Sequence, residues 1–205
     1  MRFSSFRLAV PVCLAALTGG SVGAHAIAVA NGSFESPAYS SGGWAYNPSV
    51  PGWTLSRGAG IASVGSPWFA GTPPNGTQAL FLQGYSTLSG SASQTLTGFS
   101  IGQSYTVEFY MAERPGYAAD PIQVLLGGTS LGNYVPATTG FVQVVTAAWV
   151  ATSTSATLTF TDPGLFAGDR DSAIDNVTVQ SVPEPASAAL LGFGLLALGR
   201  VRRRT

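Results

Sequence analysis

The chain contains no lysine, and among its 205 residues it has one cysteine (Cys13) and one histidine (His25). Both of the latter lie in an N-terminal segment with the pattern of a leader peptide, so the domain behind it would have no thiol, imidazole or amine side chain. That excludes a Cys or Ser nucleophile served by His, a His-ligated zinc or iron site, a disulfide framework and a Schiff-base lysine. Charge is scarce too, at 9% of residues, and six of the nine arginines sit at the two ends. Between residues 27 and 181 remain Arg57, Arg114 and Arg170 against Glu35, Glu108, Glu113, Asp120, Asp162, Asp169, Asp171 and Asp175, a net charge of −5. A surface of that sign is unsuited to nucleic acid, whose phosphates need Lys and Arg.

What the ends contain is informative. Arg2 and Arg7 precede an apolar stretch from Leu8 to Leu17, and Ala24-His25-Ala26 has the small-x-small form of a signal-peptidase site. Residues 1–26 are therefore expected to be a signal peptide, with cleavage after Ala26 and Ala28 or Ala30 as alternatives. Cys13 follows Val10-Pro11-Val12, a poor lipobox, which argues against a lipoprotein.

At the other end Val182-Pro183-Glu184-Pro185 is followed by an apolar run from Ala186 to Leu198 and then Arg200, Arg202, Arg203 and Arg204. As a helix the run spans roughly 20 Å against a hydrocarbon core of about 30 Å, a marginal membrane crossing. Arginines beyond it suit a cytoplasmic flank, placing the body of the protein on the far side of the membrane. The alternative is a buried helix of a soluble domain, which Gly192, Gly194 and Gly199 disfavour. Residues 182–205 resemble the PEP-CTERM sorting signal of Gram-negative bacteria, in which a Pro-Glu-Pro box, a short transmembrane helix and an Arg cluster occur in that order. The resemblance implies an exosortase-type processing enzyme as partner, with transient membrane anchoring before processing and delivery to the cell surface or extracellular matrix after it.

The segment between, 27–181, is rich in Gly, Ser, Thr and aromatics and shows almost no helical period. Tyr105, Val107, Phe109 and Met111 alternate with Thr106, Glu108 and Tyr110, while Ala156, Leu158 and Phe160 alternate with threonines. Further strands are expected at 79–82, 92–96, 122–126, 141–150 and 174–179, separated by turn signals such as Pro51-Gly52, Gly127-Gly128 and Asp162-Pro163-Gly164. The fold class is all-β: one antiparallel β-sandwich flanked by the signal peptide and the short transmembrane helix.

Asn31-Gly32-Ser33-Phe34-Glu35, Pro51-Gly52-Trp53, Asn75 to Leu80, Ser93 to Leu96, Tyr105 to Met111 and Ile174-Asp175-Asn176-Val177 together resemble the galactose-binding-like jelly roll of carbohydrate-binding modules. That resemblance implies a structural calcium ion near the first and last strands, held by Glu35, Asp175 and backbone carbonyls around Asn31, since calcium takes six to eight oxygens. Two alternatives stay open: Asp175 and Asn176 cap the start of the last strand with Glu35 solvated, or Asp162, Asp169 and Asp171 form a loop metal site. Sugar rings stack on flat aromatic faces, so Trp44, Tyr46, Trp68, Phe69 and Tyr85 are the candidate ligand-binding aromatics, with Arg57, Gln83 and Arg114 as hydroxyl partners and Tyr117 nearby. Against this stands a satellite hydrophobic cluster under long loops. Trp53 and Trp149 lie in strand-like patterns and read as core.

The expected function is an exported, non-catalytic protein that binds or integrates into extracellular polysaccharide. The alternatives are a purely structural matrix protein and a glycoside hydrolase or lyase working with carboxylates alone.

Overall fold

The computed structural model describes residues 25–85, 88–164 and 169–183. Residues 1–24 of the expected signal peptide and the sorting-signal residues Glu184, Pro185, Arg200, Arg202, Arg203 and Arg204, together with the expected helix, lie outside the described residues. Ala24–Pro183 form one compact unit, which takes in His25 and Ala26, residues that cleavage after Ala26 would remove. No helix among the described residues is long and apolar enough to cross a membrane.

Fifteen strands are present among the described residues: β1 (Ala26–Ile27), β2 (Trp44–Tyr46), β3 (Thr54–Leu55), β4 (Ala59–Ser63), β5 (Gln78–Tyr85), β6 (Leu88–Ser89), β7 (Ser91–Thr97), β8 (Ser104–Glu113), β9 (Ala118–Ala119), β10 (Ile122–Leu126), β11 (Thr129–Tyr134), β12 (Val142–Val145), β13 (Trp149–Val150), β14 (Ser155–Thr161) and β15 (Arg170–Ser181). They make two sheets, one running β12-β8-β15-β5-β4-β2 with β1, β13, β6 and β9 at its margins, the other β11-β10-β14-β7-β3. Pairing is antiparallel except where β9 runs parallel to the start of β15, bringing Asp171 opposite Ala119.

The inner faces meet in one core. Tyr105, Val107, Phe109 and Met111 of β8 all point into it, as their spacing of two requires, and Phe109 meets Phe160 of the other sheet edge-on at 5.1 Å. Each such fully buried side chain contributes about 1.5–3 kcal/mol of transfer free energy. Trp53 and Trp149 belong to this core. The hairpin between β10 and β11 turns at Gly127 and Gly128, both at positive φ, which two-residue hairpins of the favoured hand demand.

β15 departs from strict alternation because a bulge falls between Asp175 and Thr178, with Asn176 at φ +52°. The extra residue returns Val177 and Val179 to the core after Ile174, explaining their odd spacing.

β4 and β5 are buried on both faces, a pattern the sequence does not announce. Their outer side is covered by the segment between them, so that Trp68, Phe69, Ala62, Ala79, Phe81, Ala112 and Ala173 form a second apolar cluster outside the sandwich. Gly60 makes this possible: a Cβ there would stand 2.2 Å from Phe81 Cζ and 2.3 Å from the Ala45 carbonyl oxygen.

Candidate functional site

The outer cluster continues into a polar site on the same face. Trp68 stacks on Phe81 at 3.9 Å with ring planes 5° apart, and Tyr46 meets both rings edge-on. Trp44 closes the group with edge contacts to Tyr46 and Trp68. The Arg114 guanidinium lies 4.2 Å from the Trp68 ring and 3.8 Å from that of Tyr117, held between two aromatic faces. Its Nε donates to the Pro67 carbonyl, and Nη1 stands 3.7 Å from Asp169 Oδ1.

Asp169 in turn accepts from Gln83 Nε2 at 2.5 Å, and Gln83 Oε1 accepts from the Tyr46 hydroxyl. Directly across the sheet from Gln83 is Asp171, fully buried, with neither carboxyl oxygen hydrogen-bonded. Burial pushes its pKa well above the ordinary carboxylate range; Arg114 opposes the shift, while Asp120 and Asp169 add to it. Burial and then Asp171 also raise the Tyr46 phenol. A buried carboxyl whose pKa is raised in this way can serve as a proton donor.

A second acidic pair lies near the rim. Asp120 and Asp162 converge over Gly84, where a Cβ would meet Asp162 Oδ2 at 2.6 Å and Asp120 Oδ2 at 3.0 Å. Burial, then Asp162, pushes Asp120 up to about 7 against the pull of Arg170 and the Gly84 amide. Asp162 is raised by burial too, although its Oδ1 accepts from the Gly164 amide. The three aspartates imagined as a loop metal site thus separate: Asp169 pairs with Arg114 and Gln83, Asp171 is buried across from Gln83, and Asp162 joins Asp120. Among the described residues there is no cluster of three or more His, Cys, Asp or Glu able to hold a metal.

Of the aromatics expected at a ligand surface, Trp44, Tyr46 and Tyr85 are exposed while Trp68 and Phe69 are 3% exposed, buried in the satellite cluster. The structure brings Trp44, Tyr46, Trp68 and Arg114 together. A cavity of about 300 Å³ lies beside them, lined by Tyr46, Asn47, Arg57, Gly58 and Gln83.

Glu35 and Asp175 are close enough for Glu35 to help push Asp175 up to about 7, burial being the main cause. Glu35 Oε1 accepts from the Thr77 and Gln78 amides, and Asp175 Oδ2 accepts from the Asn75 amide, leaving Asp175 Oδ1 buried and unpartnered. Asn31 uses its side chain to cap the turn at Ser36, and its carbonyl accepts from Phe34 and Trp53.

Asp120 escaped sequence reasoning as a chemical group, and Asp171 entered it as a candidate loop metal ligand with Asp162 and Asp169 and not as a buried acid; the available signal for burial was its place at the start of the apolar strand β15.

A two-sheet β-sandwich carrying a buried acid behind an aromatic wall is the class that fold and site define. The chain belongs to the HpiC1-like family (HpiC1 cyclase), whose model matches residues 25–170. A PEP-CTERM protein-sorting motif matches residues 181–204, marking an exported, exosortase-processed cell-surface protein. In fold it is similar to a Stig cyclase, Fisc, of Fischerella sp. TAU in complex with (3Z)-3-(1-methyl-2-pyrrolidinylidene)-3H-indole, at 17% identity and TM-score 0.61, covering 79% of this chain and 100% of that one. A cyclase from Fischerella sp. TAU in complex with 4-(1H-indol-3-yl)butan-2-one matches at 17% identity and TM-score 0.60, covering 78% and 99%. Halomucin of Haloquadratum walsbyi is 28% identical over 176 residues; the match takes in 78% of this chain and only 2% of that protein.

Family membership overturns the expectation of a non-catalytic protein and points to a cyclase-type fold. That expectation rested on missing nucleophiles and imidazoles, but a ring closure started by protonation needs neither. A carboxyl group whose pKa burial raises can supply the acid, and a count of residue types does not reveal one.

Proposed function

We propose that this protein is a surface-sorted, cyclase-type enzyme in which Asp171 is the proton donor to an electron-rich, unsaturated ring compound lodged beside Tyr46 and Gln83. The observation that carries this reading is the fully buried, unpartnered and raised Asp171 carboxyl, paired across the sheet from Gln83, which lines the cavity. Its O–H would add a proton to a substrate carbon, and the Tyr46 ring at the cavity would favour the cation so formed over water's competing attack. The Arg114–Asp169–Gln83–Tyr46 chain keeps those walls in place.

The indole ligands of the similar cyclases suggest a probe. Incubation of indole with the protein in D2O should speed deuterium uptake at C3, the most basic ring carbon and one that carries a hydrogen, because protonation and deprotonation there exchange the label. Asp171→Asn should lower that rate by roughly 100- to 10,000-fold. Equal exchange by wild type and variant would refute the assignment.

A second reading is supported by the exposed Trp44, Tyr46, Tyr85 and Tyr117 together with the sorting motif. In this reading extracellular polysaccharide stacks on those rings, and loss of retention on immobilised polysaccharide in Trp44→Ala would support it. A structural calcium ion at Glu35, Asp175 and Asn31 remains a proposal, supported by the open Asp175 Oδ1.

A further inference from the structure

We propose that the cavity beside Tyr46 selects a carboxylate-bearing ring compound, its carboxylate paired with Arg57 and an O–H or N–H group donated to Tyr46 Oη. This rests on the reading of that cavity as the ligand site.

The polarity of the cavity is set by groups outside it. Asp169, beside the Arg114 guanidinium, can only accept, so Gln83 must turn its NH2 group toward it. Gln83 Oε1 then faces Tyr46 and takes the phenolic proton. With its only proton committed, Tyr46 Oη offers the cavity a lone pair, and a ligand atom meeting it must be a donor.

The opposite requirement holds at Arg57. Gly58, at φ +90°, ties this turn to β5 by accepting the Gln83 amide at 2.7 Å, and a Cβ at Gly58 would stand 2.8 Å from the Gln83 carbonyl oxygen. The close approach delivers the exposed Arg57 to the cavity wall. Among the described residues its guanidinium makes no ion pair or hydrogen bond, leaving a five-donor fork suited to a carboxylate. About 300 Å³ between these two points holds one or two rings. Donor demand at one end, an unpaired cation at the other and an aromatic edge between them describe a compact ring acid.

Sugar acids and aromatic acids share this chemistry, and titration calorimetry of the full chain separates them with two matched pairs: glucuronate against glucose, and indole-3-carboxylate against indole. At least one acid should bind about tenfold or more tightly than its neutral partner, as expected for a charge-assisted pair; the pair showing the gap names the source. Arg57→Gln should abolish the gap, and Tyr46→Phe should weaken acid and neutral probe alike by about threefold or more. Acids binding no better than neutral probes, or keeping their advantage in Arg57→Gln, would overturn the proposal. Neutral probes that bind equally well and depend on Tyr46 would leave the ligand-site reading standing while removing the anion preference. Binding of none of the four would count against both.

Discussion

Replacing Asp120 by Asn should make the protein more stable at alkaline pH and flatten its stability against pH. The carboxyl is 1% exposed, its Oδ2 has no partner, and Asp162 faces it over Gly84. Its pKa stands at 3.8 in an unperturbed chain and rises to about 7 in the fold, burial first and Asp162 second. The folded state therefore holds a proton more tightly than the unfolded one, so this group's contribution is fully present below about pH 4 and lost as pH rises through about 7. At about 1.4 kcal/mol per tenfold change in proton affinity the full span is about 4 kcal/mol. Relaxation of surrounding dipoles keeps the effective dielectric of such a buried site well above that of dry protein, and halving the figure leaves about 2 kcal/mol. Asn keeps the shape and an oxygen for the Gly84 amide but never ionises. Urea unfolding at pH 4.5 and pH 8 should show the variant gaining about 2 kcal/mol on wild type between the two conditions, or roughly 4–8 °C in melting temperature at pH 8. Asp175 titrates alike in both proteins and cancels, while Asp171 and Asp162, relieved of the Asp120 charge in the variant, are raised less there and add to its gain at alkaline pH. Parallel stability curves for the two, or a wild type that gains on the variant with rising pH, would refute the reasoning.

Trp68→Ala should cost about 3–5 kcal/mol, because it removes the ring stacked on Phe81 and one of the two faces holding Arg114; chemical denaturation measures it, and a loss under 1 kcal/mol would mean the outer cluster is not packed as described. Gly60→Ala should destabilise by about 1–3 kcal/mol or abolish folding, since its methyl meets the Phe81 ring and the Ala45 carbonyl; a soluble variant melting like wild type would contradict that. If calcium is held at Glu35, Asp175 and Asn31, chelation should lower the melting temperature by an amount that added calcium restores. An unchanged melt would leave no role for the ion.

The sandwich was legible because its inner faces obey a period of two. Tyr105 to Met111, Ala156 to Phe160 and the glycines of the β10–β11 hairpin each state their role within a few residues, and the bulge at Asn176 is even foreshadowed by the spacing of Ile174 and Val177. The short strands β2, β3, β4 and β9 were not legible. They are held by pairing with distant segments, as β4 is with β5 and β3 with β7, and in β4 by the second apolar layer over its outer side, not by a local pattern.

The candidate site divides along the same line. Its aromatics were visible as residue types: Trp44, Tyr46 and Trp68 stand out among Gly, Pro and Ser. Whether each faced water or protein depended on the segment folded over the sheet, which hides Trp68 and leaves Trp44 at the surface. Spacing along the chain cannot say which carboxyl lies inside the sheet, so Asp162, Asp169 and Asp171, grouped in the sequence, take up different surroundings in the fold.

Taken by itself, the sequence determined the all-β class and the alternating core of the long strands. It also determined the sorting motif and the absence of thiol, imidazole and amine chemistry between residues 27 and 181. These follow from local order and composition, where a few neighbouring residues carry the whole physical cause. Only the tertiary structure decided that Asp171 is a fully buried acid with a raised pKa, that Gln83 commits the Tyr46 proton, and that Arg57 stands beside a cavity unpaired among the described residues. Burial and partner choice arise when strands far apart in the chain are laid side by side, and they change the chemistry of a residue without changing its identity.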